Sequence, residues 1–210
     1  MSNKAQLGKA VVGVAEHGNS AVLVTVSEAK EVLDRRTVDL TGPDLPTHPY
    51  HHEGSWAVGR YRDSAWAREI TLPEAIELVA KVETAAAEGA VAVLAALAGD
   101  LPVAVGGIAI RVCPELPETI EERIRDNRAQ SMADSVMYRQ ALAVAAQNLG
   151  WSVVWYDRDQ VFEEAGAVLG EEDVEAALKS LGRPLGPPWQ ARHKLAAAAA
   201  LVAAKSMTSG

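Results

Sequence analysis

Two apolar runs near the N-terminus, A10-V-V-G-V-A15 and A21-V-L-V-T-V26, are separated only by E16-H-G-N-S20. A connection this short joins antiparallel neighbours, because a parallel crossover needs a much longer return. Gly18-Asn19 supplies the backbone freedom for the tight turn. Ser27 to Lys30 turns the chain again, and Glu31 to Leu40 carries polar residues through its middle, as an outer strand does. A β-meander therefore opens the chain. The rest of the polypeptide has to extend one of its edges or cover one of its faces.

Beyond residue 70 the chain alternates helix and strand. T71-L-P-E74 is a capping box with proline at the first helical position. A helix is expected from there to about Gly89, with Leu97 as its outer limit. Leu101 to Val112 is a buried strand in which Gly106-Gly107 marks a bulge or a close backbone approach. Pro117 to Asn127 is a short exposed helix. Arg128 to Leu149 is a longer amphipathic one stopped by Gly150, with Val136, Met137, Ala141, Val144, Ala145 and Leu149 inward. Asp134, Tyr138 and Arg139 share this helix, which should flank any site at the sheet edge, and they read first as its solvent face. Trp151 to Tyr156 is the fifth strand, with Trp151 and Trp155 toward the core. Asp159 caps a helix through Val168, and Glu171 to Leu181 forms another. The segment Gly182 to Pro188 leads into a last helix at about Trp189–Lys205. The order β-β-β-α-β-α-β-α gives an α/β fold. Its mixed five-stranded sheet joins an antiparallel three-strand meander to two parallel strands, with helices on both faces. We expect a single domain over 1–210 with a long loop insertion at about 41–70.

Composition narrows the function. A formal charge of −8 argues against broad non-specific nucleic-acid binding, though Arg35, Arg36, Arg60, Arg62 and Arg68 cluster locally. The single cysteine, Cys113, excludes an internal disulfide and a four-cysteine zinc site. It is a nucleophile only where a base lowers its pKa. The alanine-rich run Leu195 to Ala204 is too short to span a bilayer, so the expectation is a cytoplasmic protein with no membrane partner.

All five histidines fall where strands should end or helices begin. Glu16-His17 comes directly after the first strand and has the makings of an acid–base pair. H48-P-Y-H51-H52-E53 offers His48, His51, His52 and Glu53 as ligands for a divalent metal. The same segment reads equally as a proline-bent loop whose histidines face water. His193 lies in the first turn of the last helix beside Arg192 and Lys194, where free backbone N–H groups and cations suit an anion. Tyr50 and Arg111 are further candidate binding groups. Trp56 and Trp66 either stack bases or clamp a partner, or they fold back as a lid.

V11-V-G-V-A-E-H-G18, S135-V-M-Y-R-Q-A-L142 with N148-L-G-W-S-V153, and G186-P-P-W-Q-A-R-H-K-L-A-A-A198 together resemble the ribonuclease H-like superfamily, in the branch of the Holliday-junction resolvases. The resemblance spans most of the chain. It implies that the first, third, fourth and fifth strands run parallel and that their carboxyl ends, with the last helix, form the site. It also implies metal-bound carboxylates, and here the chain departs. Ala15 stands where the family's first strand has an aspartate, with Glu16 next to it. I110-R-V-C113 stands where a glutamate is frequent, and the last helix offers His193. Paired magnesium ions need several carboxylates. The chain is thus open to three readings. One is a divergent metal-dependent nuclease or phosphodiester-processing enzyme using Glu16, His17 and His193. Another is a non-catalytic descendant binding nucleic acid or a small anionic ligand. The third is a homodimeric assembly protein.

Overall fold

The computed structural model describes residues 9–54 and 70–208, with the side chains of 52–54 excepted. Five strands, β1 (Lys9–His17), β2 (Ser20–Val26), β3 (Val32–Asp39), β4 (Ala104–Arg111) and β5 (Ser152–Tyr156), form one sheet in the order β3-β2-β1-β4-β5. β1, β2 and β3 pair antiparallel, whereas β4 and β5 add in parallel to β1. The sheet is the mixed one expected from the meander and the two helix–strand units.

Six α-helices accompany it among the described residues: α1 (Leu72–Asp100), α2 (Ile120–Arg125), α3 (Asn127–Asn148), α4 (Val161–Leu169), α5 (Val174–Leu181) and α6 (Ala191–Thr208). Alternate residues of each central strand face opposite ways. Val12, Val14, Leu23, Ile108 and Ile110 therefore pack under α1 and α3. Val11, Ala15, Val22, Val24 and Ala109 pack under α4, α5 and α6. The alanines of α6 let its backbone lie close on the sheet. A Cβ at Gly13 would stand 1.8 Å from the Ala196 carbonyl oxygen, so β1 needs glycine where α6 crosses it.

Several boundaries differ from expectation. The capping box at Thr71 and Glu74 starts α1 as expected, but the helix passes through Gly89 to Asp100. Gly89 is a point of close approach, since a Cβ there would lie 2.0 Å from the Leu40 carbonyl oxygen. By length and composition α1 would also suffice to cross a membrane, yet its stripe of Val79, Val82, Ala86, Leu94 and Leu97 is buried in the core. The β1–β4 register slips between Ala10 and Val11, which places a bulge at Gly106. Part of the segment read as loop is wound: Pro49–Gly54 forms a π-helical turn.

The largest difference lies in the face of α3 that is buried, although Val136, Met137 and Ala145 are inside as expected. Val144 and Leu149, expected inside, are 53% and 38% exposed, whereas Asp134 and Arg139, expected outside, are each 4% exposed, and Tyr138 is fully buried. Trp155 is also exposed, on the edge strand β5. Only Trp151 joins the core.

Candidate functional site

In this sheet the strand order reverses between β1 and β4. Open α/β sheets form their ligand crevices at such a point, beyond the carboxyl ends of the strands. β1 and β4 pair from Lys9–Ala104 to Gly13–Ala109, and pairing stops before either strand ends. Two side chains close the split. Tyr156 reaches across from β5, and its hydroxyl donates to the Val14 carbonyl at 2.8 Å. Burial holds its phenol well above the ordinary range, so it stays a neutral donor.

Arg139 enters from α3. Its Nε donates to Glu16 Oε1 at 2.6 Å and its Nη1 to the Val112 carbonyl at 2.9 Å, while Nη2 lies 2.6 Å from the same carboxylate. Both side chains are only 5% exposed. One guanidinium thus ties the end of β1 to the segment leaving β4. A charge buried with its partner and extra hydrogen bonds is tolerated, and the same charge left alone is costly. Cys113 lies beside this pair. Burial pushes its thiol up, and the nearby guanidinium only partly opposes that, so it is not an activated nucleophile.

The other polar groups of α3 hold the histidine-bearing turn. Tyr50 N–H donates to Asp134 Oδ1 at 3.0 Å, and His51 N–H donates to the same carboxyl group. Tyr138 donates its hydroxyl to the Thr47 carbonyl at 2.9 Å. No cation pairs with Asp134 among the described residues. Burial raises its pKa to about 7, against the pull of the two N–H groups. The turn lies against the β1–β2 hairpin. A Cβ on Gly18, which has φ +55°, would stand 2.9 Å from His48 Cε1. The hairpin and the His48 turn therefore converge at one edge.

Other candidates are engaged elsewhere. Glu16 is partnered by Arg139 rather than by His17. Tyr50 is no surface binding group, because it is fully buried and donates its hydroxyl to Glu83 Oε1 at 3.1 Å. Lys194 forms an ion pair with Glu175 and is not free to hold a phosphate. His193 caps its own helix, with Nδ1 accepting Gln190 N–H at 3.1 Å and its ring stacked on Trp189. Burial first, then the charges of Arg35 and Arg192, lower its pKa. Arg192 reaches Ser20 Oγ at 3.5 Å, beside His17 at the hairpin. Arg111 lines a crevice of about 470 Å³ at the ends of β4 and β5.

A paired-metal site does not fit these residues. Near the split β1 offers the methyl of Ala15, and β4 ends on a cation, Arg111. His193, the third position, serves as a cap. Among the described residues no three His, Cys, Asp or Glu side chains converge. The side chains of His52 and Glu53, and Arg60, Arg62, Arg68, Trp56 and Trp66, lie outside the described residues.

Asp134, Tyr138 and Arg139, placed on the solvent face from the sequence, are the residues that organise this edge. A signal for them exists: Ala133, Val136, Met137 and Leu142 surround them on the helix, so their face was apolar by its neighbours.

A β3-β2-β1-β4-β5 sheet with helices on both faces is the ribonuclease H-like fold. No protein-family model matches the chain, and no curated protein does. Among solved structures it is similar to T. thermophilus RuvC in complex with Holliday junction substrate. The TM-score is 0.51 at 17% identity, covering 95% of this chain and 96% of that one. A second Thermus thermophilus RuvC structure aligns with a TM-score of 0.48 at 16% identity, with the same coverage of both chains.

Proposed function

We propose that this chain is a non-hydrolytic nucleic-acid-binding protein built on the ribonuclease H-like fold. The observation that carries this reading is the Arg139 bridge. The crevice in which the fold's enzymes do their chemistry is closed by a guanidinium bound to Glu16 and to the Val112 carbonyl. The positions next to it offer Ala15 and Arg111 in place of carboxylates. Glu16 is thereby held as a counter-ion. The same edge presents Arg111, Arg158 and Arg192, groups that suit phosphate oxygens. The RuvC structure holds a Holliday junction, which makes branched DNA the first ligand to test.

Fluorescence anisotropy with a labelled four-way junction, at low and moderate salt, is expected to show binding that weakens as salt rises. The same DNA incubated with Mg²⁺ or Mn²⁺ is expected to stay intact. Divalent-dependent cleavage that disappears in Glu16→Gln would overturn the reading.

One contact favours a second reading, a metal-dependent phosphodiesterase using His17, His48, His51, His52 and Glu53. It is the seat of the His48 ring on Gly18, which joins the two histidine segments. Elemental analysis of the purified protein decides it. Stoichiometric metal that is lost in His51→Ala/His52→Ala supports this second reading, and metal-free protein excludes it.

A further inference from the structure

The crevice beside the Arg139 bridge has a mixed lining. Arg111, Arg158 and Ser135 are its polar members, and Val112, Pro114 and Met132 its apolar ones. Among the described residues, neither Arg111 nor Arg158 places its guanidinium in an ion pair or hydrogen bond, although Arg36, Arg123, Arg125 and Arg139 each have a carboxylate partner. Two cations left unpaired in the lining of a cavity are a recognition element for an anion. Ser131 and Ser135 lie one helical turn apart on α3 and face the same space. Asp157 and Asp159 also line it, and one oxygen of Asp157 is already taken by Asp159 N–H at 2.8 Å.

A bare phosphate would use only the arginines and would leave the apolar lining residues wet and the carboxylates repelled. A ligand that joins an anion to a flat apolar ring with N–H or O–H donors uses all three. The cavity, about 470 Å³, lies within the range of roughly 300–1,000 Å³ typical of small-ligand sites. We infer that this crevice holds a single nucleotide unit carrying a terminal phosphate, with Arg111 and Arg158 on the phosphate and Pro114 and Met132 against the base. The inference rests on the nucleic-acid reading and narrows it from strand to strand end.

The test uses the full chain and matched single-stranded oligonucleotides with a 5′-phosphate or a 5′-hydroxyl. The phosphorylated strand is expected to bind about tenfold more tightly or better, since hydrogen bonds to a charged group contribute ~1.5–3 kcal/mol. Arg111→Ala/Arg158→Ala is expected to erase that difference while thermal unfolding stays as in the wild type. AMP and inorganic phosphate serve as competitors. Competition by AMP with the same arginine dependence shows that the free nucleotide is also a ligand. Inorganic phosphate competing as well as AMP overturns the nucleotide class. Equal binding of both oligonucleotides, with no AMP competition and no effect of the double variant, sinks the inference and leaves the nucleic-acid reading standing. Failure of every strand and junction to bind removes that reading itself.

Discussion

α3 buries two charged groups less than two turns apart and treats them in opposite ways. Arg139 meets a carboxylate, Glu16, and a main-chain carbonyl. Among the described residues, Asp134 meets only main-chain N–H groups, from Tyr50 and His51. A buried charge can offset its lost hydration by pairing, or avoid it by giving up the charge. The first end of the stripe pairs, and it closes the split between β1 and β4. The second has no cation among the described residues and shifts toward the neutral acid, with a pKa of about 7. One end is thus a fixed electrostatic bridge. The other is a latch on the 47–54 turn whose strength depends on pH.

The contrast is most sharply tested at Arg139. Arg139→Met strands the Glu16 carboxylate in the core, and a loss of about 3–5 kcal/mol in urea unfolding is expected. Adding Glu16→Gln should return most of that loss, because the stranded charge goes with it. A single variant that unfolds like wild type would show that the bridge does not hold the edge.

At the other end the sign of the pH effect is fixed. The Asp134 carboxyl ordinarily titrates at 3.8 and is raised to about 7 in the folded chain, so between these values the native state keeps a proton that the unfolded chain releases. Its contribution is full below the ordinary value, is lost as pH rises through about 7, and is level above that. The gap corresponds to roughly 4 kcal/mol at most. Asp134→Asn keeps an acceptor for the turn and cannot ionise. It should therefore gain stability relative to wild type between pH 5 and pH 8, as read by chemical denaturation at each pH. Parallel pH profiles would contradict the latch. Smaller still is Tyr138→Phe, which removes the bond to the Thr47 carbonyl. About 1 kcal/mol is expected, with faster amide exchange confined to the turn.

The fold was legible because its signals are local. The short turn at Gly18-Asn19, the capping box at Thr71 and Glu74, and the strand–helix alternation each announce themselves within a few residues. The convergence of the hairpin with the His48 turn was also expected from the parallel strands. The site chemistry was less legible. Side-chain type alone assigned Asp134, Tyr138 and Arg139 to water, because their partners lie 84, 91 and 123 residues away in the chain. A polar residue is placed inside by what it meets there, and no window of sequence shows that. His193 and Lys194 illustrate the converse: their types suggested an anion site, but a helix cap and Glu175 take them up.

Arg139 spans the split between β1 and β4, and the proposal of a non-hydrolytic protein depends on it. Its Nε–H resonance in a ¹H–¹⁵N NMR spectrum reports this directly. A sharp, slowly exchanging signal that does not move as Mg²⁺ or Mn²⁺ is added is the predicted result. A signal averaged with water, or one displaced or broadened as metal takes the Glu16 carboxylate, would contradict it.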